Sequence, residues 1–491
     1  MTDVLLIVPP FNFSALNSAA RKGGAGGYYL YYPPLGLCSI GACLKARGFS
    51  VRIVDCFIER VDARKIAAVA AACRPKIVGV SVTTPSLPAA RDFVRALRGH
   101  RDASGAGFII VAGGPHVSCD PGIVASLGAD AGIAGDGEPG MTALAKGVPR
   151  EDGAAPDWTR AMDPAPGLVT PDNGSVKTSP PAAVESMGAV PFPDRSLVAG
   201  NPYFNPYFPS RTTTFLSARG CPFRCAFCSR TGSMGSYRPR PVEDFLREAE
   251  AIRRDGYGFV SVIDETFTYD RARAAALAEG LLDAGGAGAR NRRRAPFRWS
   301  CQTRADMVDR DVLDALRRAG CVNVSFGVEA GDAAVRRGLD KDISYERLRD
   351  AFRLCREAGV TTNAFMMIGN PSETEGDVER GIDFVMSLSP DYAVFNIATL
   401  LPGSVLYEEK LAKGTLTRGI WDEYMRGERG LPVLSEALSR ETLAAHLRRG
   451  FLRFYARPGA ILRSLWRMRS PRRLALMMRL ARTVILDYIV G

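Results

Sequence analysis

Short apolar runs of β character alternate with helical segments twice along this chain, and no other feature narrows its possible folds so far. In the first third, apolar runs at 4–8, 51–54, 77–82, 108–111 and 131–134 read as strands buried on both faces. Helices are expected between them at 35–47, 63–73 and 89–97, with a final helix opening at Pro139. Such alternation builds a parallel, doubly wound, Rossmann-like sheet covered by helices on both sides. The rhythm resumes at 213–217 and recurs at 259–263, 297–301, 322–327, 361–367 and 392–397. Gly256, Gly285, Gly320 and Gly359 close the helices in between, as C-terminal glycines do. Six units of this kind predict a partial (β/α)6, TIM-like barrel with its function at the strand C-terminal ends.

The expected fold class is therefore α/β, in four parts: a doubly wound domain over 1–148, a linker over 149–206, a barrel over 207–405 and a helical tail over 406–491. Nine prolines fall between 149 and 200, which reads as a strap between domains. Within it, Asn173-Gly174 marks a small hairpin. The tail is basic: residues 447–483 hold eleven arginines and no Lys, Asp or Glu. That stretch accounts for nearly all of the net charge of +12, so the two domains are close to neutral and nucleic acid is not an expected partner. The last tail helix sets Leu474, Met477, Met478, Ala481, Ile485 and Tyr488 at helical spacing beside arginines. It reads either as docked on the barrel or as a peripheral contact with an anionic membrane. No uncharged run approaches the ~20 residues of a membrane span. The N-terminus lacks a basic n-region, and a cytoplasmic location, at most peripheral to the inner membrane face, is expected.

The chemistry concentrates where the second sheet begins, in Arg219-Gly-Cys221-Pro-Phe-Arg-Cys225-Ala-Phe-Cys228. Three thiolates within eight residues suit three corners of a cubane [4Fe–4S] cluster, leaving one iron open. Structural zinc would want a fourth ligand nearby, and no histidine lies between His116 and His446. Cys301, Cys321 and Cys355 form no second C-x2-C pair and read as packing thiols. In the first domain, the strand ends carry Pro9-Pro10, Asp55, Thr83-Thr84-Pro85-Ser86, Gly113-Gly114-Pro115-His116 and Gly135-Asp136-Gly137-Glu138. These are glycines for close approach and hydroxyls for hydrogen bonds, where doubly wound sheets bind ligands. Neither G-x-G-x-x-G after the first strand nor a phosphate-binding G-x4-G-K-S/T occurs. The glycine- and tyrosine-rich stretch 23–32 reads as a long loop that closes over a ligand or packs on the body.

The C-x3-C-x2-C spacing, with Phe227 before its last cysteine, resembles the signature of the radical S-adenosylmethionine (SAM) superfamily. The sheet before it resembles the cobalamin-binding domain of a large subclass of that superfamily. The resemblance implies that the open iron binds SAM, whose reductive cleavage yields a 5′-deoxyadenosyl radical, with electrons from an external flavodoxin- or ferredoxin-type donor. It implies SAM contacts from Asp264 or Glu265 to the ammonium, Arg304 to the carboxylate, Glu329 to ribose and Gly369 to adenine. For cobalamin it implies contacts from Pro34, Leu35, Thr83, Ser86, Gly113, Gly114, Gly135 and Glu138. His116 reads either as a further contact or as a loop histidine bonded to backbone. A D-x-H-x-x-G motif is absent, so no histidine ligand is expected on the cobalt.

The function implied is methylation of an unactivated carbon in a small-molecule or lipid-like substrate. The alternatives are radical cyclisation or rearrangement of the magnesium-protoporphyrin ester cyclase type, or a non-catalytic cobalamin or redox sensor.

Overall fold

The computed structural model describes residues 2–10, 32–105, 107–147, 165–205, 208–229, 235–284 and 297–458. The first sheet contains β1 (Val4–Val8), β2 (Val51–Asp55), β3 (Ile77–Ser81), β4 (Ile109–Gly113) and β5 (Ala131–Ile133), in the order β2-β1-β3-β4-β5 and all parallel. The order reverses between β1 and β3, which opens a crevice above their C-terminal ends. Helix α1 (Leu35–Lys45) follows β1, α2 (Ala63–Cys73) follows β2 and α3 (Leu87–Ser104) follows β3. Two short helices, α4 (Pro115–Cys119) and α5 (Ile123–Leu127), lead to β5, and α6 (Gly137–Ala145) closes the unit.

The Asn173-Gly174 turn forms with φ of 46° and 83°, the conformation that favours these residues in tight hairpins. Its strands, β6 (Leu168–Asp172) and β7 (Ser175–Thr178), do not hang free in the strap. They add antiparallel to β5 and widen the first sheet to seven strands.

The second sheet runs β16-β15-β14-β13-β12-β9-β8. Its six parallel members are β9 (Phe208–Phe215), β12 (Phe259–Val262), β13 (Arg298–Thr303), β14 (Cys321–Glu329), β15 (Thr361–Ile368) and β16 (Tyr392–Ile397). They match the six expected strands, with antiparallel β8 (Phe204–Asn205) at one edge. Gly256, Gly320 and Gly359 take φ of 75°, 91° and 71°, as helix-closing glycines should; Gly285 lies outside the described residues. Helix α7 (Val242–Arg254) buries Phe245, Ala249 and Ile252 on its inner face. The helices that follow are α8 (Arg271–Ala284), α9 (Arg310–Arg318), α10 (Ala333–Gly338), α11 (Tyr345–Glu357) and α12 (Glu375–Ser387). Cys301, Cys321 and Cys355 are buried among the barrel's apolar side chains.

Beyond β16 the chain returns to the first domain. Helices α13 (Val405–Ala412) and α14 (Ile420–Arg426) bring Tyr407, Trp421, Tyr424 and Met425 into the same core as Phe93, Val94 and Leu97 of α3. Trp421 Nε1 donates to Tyr407 Oη at 2.8 Å, and Arg91 donates to the Met425 carbonyl at 3.2 Å. Helix α15 (Arg440–Tyr455) then docks on β16 and α12, where the buried His446 ring bridges Glu375 and Glu379. The expected helices at 460–469 and 471–490 lie outside the described residues. Among the described residues no helix is long and apolar enough to cross a membrane.

Candidate active site between the two sheets

The cysteine stretch is held from behind. Ser217, just past β9, donates its backbone N–H to Asp264 Oδ1 at 2.6 Å and its hydroxyl to Asp264 Oδ2. Arg273 donates to the Ser217 carbonyl at 2.8 Å. The chain then forms a two-residue strand, β10 (Ala218–Arg219), paired antiparallel with β11 (Arg238–Pro239). Between Arg219 and Cys221, Gly220 has φ of 80°, and a Cβ there would stand 2.1 Å from the Ser236 carbonyl oxygen. Only glycine turns the corner that delivers Cys221.

Cys221, Cys225 and Cys228 form no disulfide and are partly exposed. The loop is pinned by Ala226 N–H to the Leu339 carbonyl at 3.0 Å. Cys221 Sγ lies 3.9 Å from Thr266 Oγ1, at the end of β12. Burial pushes the Cys225 thiol up, against the Lys341 and Arg304 charges, which pull it down. Among the described residues no three His, Cys, Asp or Glu side chains are placed to hold a single metal ion. A cubane gives each thiolate a different iron. Three thiols on one pinned loop at the barrel mouth therefore fit a cluster in chemistry and placement.

The barrel strand ends carry the expected polar residues, in differing conditions. Asp264 is fully used by Ser217, and burial, opposed by those hydrogen bonds, pushes its carboxyl up to about 6. Glu265 instead faces the cavity described below. Arg304 forks onto Asp306 at 3.0 and 2.8 Å, with Phe223 under its guanidinium at 4.0 Å. Glu329, at a bulge with φ of 64°, accepts from Lys341 Nζ at 2.6 Å. The Gly369 N–H donates to Glu373 Oε2 at 2.8 Å. Sequence reasoning named these strand ends without giving Asp306 or Glu373 a role, and it missed Lys341, which sits twelve residues from Glu329 and meets it only through the fold.

A cavity of about 380 Å³ lies between the two sheets. The first domain contributes Pro34, Leu35, Gly113, Gly114, Gly135 and Glu138 to its wall, and the barrel contributes Ala218, Arg219, Arg238 and Glu265. It reaches down between the strands to Leu6, Gly79 and Met141, at the switch point between β1 and β3. A Cβ on Gly36 would meet no atom within 4 Å, and one on Gly113 nothing closer than 3.7 Å. Both glycines line the cavity, so side chains there would occupy it. An apolar slot floored by glycine at a switch point fits a large planar cofactor and its tail.

Three expected contacts are not on this wall. Thr83 and Ser86 bond each other, hydroxyl to hydroxyl at 3.0 Å, and cap a short helical turn. His116 is 1% exposed. Its Nδ1 lies 2.9 Å from Thr84 Oγ1, and its ring stands edge-on to Trp421 at 5.0 Å. Burial pushes its pKa down to about 3. The ring is thus a core histidine bonded to a side-chain hydroxyl, which corrects the reading of a loop histidine bonded to backbone as well as that of a cavity contact. From the 23–32 loop only Tyr32 is described, and its hydroxyl accepts from Asn205 at 3.3 Å.

Comparison with known proteins agrees with this geometry. Residues 215–385 match the family model of the radical SAM superfamily, and residues 22–145 match the B12 binding domain. The chain carries a radical SAM domain with a B12-binding domain ahead of it. Its cofactors are accordingly a [4Fe–4S] cluster, SAM and cobalamin.

Among individual proteins, the chain is 26% identical over 470 residues to a Pyrococcus horikoshii protein described as an uncharacterized methyltransferase, covering 94% of each. It is 25% identical over 433 residues to the anaerobic magnesium-protoporphyrin IX monomethyl ester cyclase of Cereibacter sphaeroides, covering 86% of this chain and 67% of that one. In fold it is similar to the radical SAM methyltransferase TsrM from Kitasatospora setae, solved with cobalamin and a [4Fe–4S] cluster bound. That match has a TM-score of 0.66 and 22% identity, covering 84% of this chain and 75% of that one.

Proposed function

We propose that the protein is a cobalamin-dependent radical SAM methyltransferase that acts on an unactivated carbon of a small-molecule or lipid-like substrate. The observation that carries the reading is the shared chamber: the B12-domain cavity is walled by the residues that lead into the cysteine loop. When bound, the cofactors supply a 5′-deoxyadenosyl radical and a transferable methyl group. The chain's own residues hold, orient and shield. Cys221, Cys225 and Cys228 would hold the cluster and leave one iron open. Glu265 and Arg304, at adjacent strand ends, would take the ammonium and carboxylate of SAM. Gly36 and Gly113 leave the room that the corrin and its tail need. His116, buried beside Trp421 and not on the cavity wall, would offer no ligand to the cobalt. The Pyrococcus horikoshii relative, similar along almost the whole chain, supports methyl transfer. The cyclase relative supports a second reading, oxidative ring closure on the same scaffold.

The proposal extends to an external one-electron donor of flavodoxin or ferredoxin type, and to peripheral contact of the expected last helix, 471–490, with an anionic membrane. The anaerobic, cluster-reconstituted protein should release both S-adenosylhomocysteine and 5′-deoxyadenosine with its substrate, quantified by chromatography. Deoxyadenosine alone would decide for cyclisation, and no SAM cleavage at all would refute the enzyme. Cys225→Ala should lose the iron–sulfur absorbance near ~400 nm; if the band persists, the cluster ligands are misassigned.

A further inference from the structure

Two arginines reach from the ribbon that bears the cysteines into the first-domain loop beside the cavity. Arg219 and Arg238 stand directly opposite each other on β10 and β11, and like charges so placed repel. The compensating charge comes from the other domain. Asp136 accepts from Arg219 on one oxygen at 2.9 Å and from Arg238 on the other at 2.6 Å. Glu138 receives both ends of the Arg219 fork, at 2.5 and 3.2 Å.

The acids are themselves fixed. The Val184 N–H donates to Asp136 at 2.7 Å, and the Ser39 hydroxyl donates to Glu138 at 2.5 Å. All four charged side chains line the cavity and are 15% exposed or less. Out of water, a forked arginine–carboxylate pair fixes orientation as well as distance. One end of this network lies two residues from Cys221, and the other lies at the start of α6, which helps wall the cavity.

We propose that Arg219 and Arg238, with Asp136 and Glu138, form a positioning clamp that sets the cysteine loop against the cavity and transmits occupancy of one to the other. The clamp rests on the reading that the cavity takes cobalamin and the loop takes the cluster. Its residues touch no reacting atom; they fix where two reactive centres stand.

Hydrogen exchange of the anaerobic, cluster-loaded full chain tests it, with and without hydroxocobalamin at concentrations that saturate each variant by visible absorbance. In the wild type, hydroxocobalamin should slow exchange across residues 219–229 by about 5-fold or more, the lower end of coupling between distinct sites. In Arg219→Met the ligand should still bind while that slowing disappears, and Arg219→Lys, with the charge but not the fork, should fall between. Glu138→Gln cuts the same link from the opposite side and serves if Arg219→Met does not fold. The clamp is overturned if bound hydroxocobalamin still slows 219–229 in Arg219→Met. It is equally overturned if that variant merely exchanges faster throughout both domains. A wild type that does not bind hydroxocobalamin would instead sink the cobalamin reading itself.

Discussion

The two readings that sequence allows for His116, cofactor contact or loop histidine, both assume a residue near solvent or cofactor, and the fold removes it from both. Its burial beside Trp421, with pKa pushed to about 3, has a measurable consequence. Between pH 3 and the usual value near ~6.5, the unfolded chain binds a proton at this position and the folded chain does not. Stability therefore falls as pH falls through that window, by ~1.4 kcal/mol per pH unit for one proton. Wild type should lose about 2 kcal/mol more than His116→Phe between pH 6.5 and 5, measured by urea unfolding. Parallel pH profiles would show that the imidazole is not buried neutral.

Other residues were legible because their chemistry is local. The cysteine spacing needs no fold to be read. Lys341 carries no local signal, since it acquires meaning only from the strand end it meets. Asp264 and Glu265 show how fine the limit is. Adjacent carboxylates at the end of one strand separate into a brace under Ser217 and a cavity-facing group, a division set by the side to which each points.

At the scale of elements, strand–helix rhythm and helix-closing glycines predicted both sheets, because period and punctuation are written into each segment. Pairing between distant segments is not. The hairpin at Asn173-Gly174 was readable from its turn, but its addition to β5 was not, since an edge strand looks the same whichever edge it joins. The return of α13 and α14 to α3 was likewise hidden: their apolar faces say that they are covered, not by what. Trp421 makes this contact testable. Its ring is 1% exposed, and Trp421→Ala should cost about 4 kcal/mol in denaturant unfolding, as large cavities in cores do. The faster exchange should appear in α3, more than 300 residues earlier in the chain. A cost under ~1 kcal/mol would mean that the contact is incidental.

The whole molecule is a nearly neutral two-sheet body followed by an arginine-rich segment, and this division was plain in the composition. Each arginine near an anionic surface contributes about 1 kcal/mol to binding, and salt weakens it. The full chain should therefore float with vesicles containing phosphatidylserine at low salt and be released at high salt. A chain lacking residues 471–491 should float less. Equal flotation of the two chains, or none, would dismiss membrane contact by the last helix.

The return of residues 398–434 to the first core also has a consequence for how the protein is made. A ribosome adding ~5–20 residues per second finishes α6 and then takes on the order of 15 to 60 s to deliver Trp421 and Met425. Throughout that interval the outer face of α3 stands uncovered in the cell, with Phe93, Val94 and Leu97 lacking their last partners. The first domain therefore reaches its final packing only after the strands and helices of the second sheet have been made.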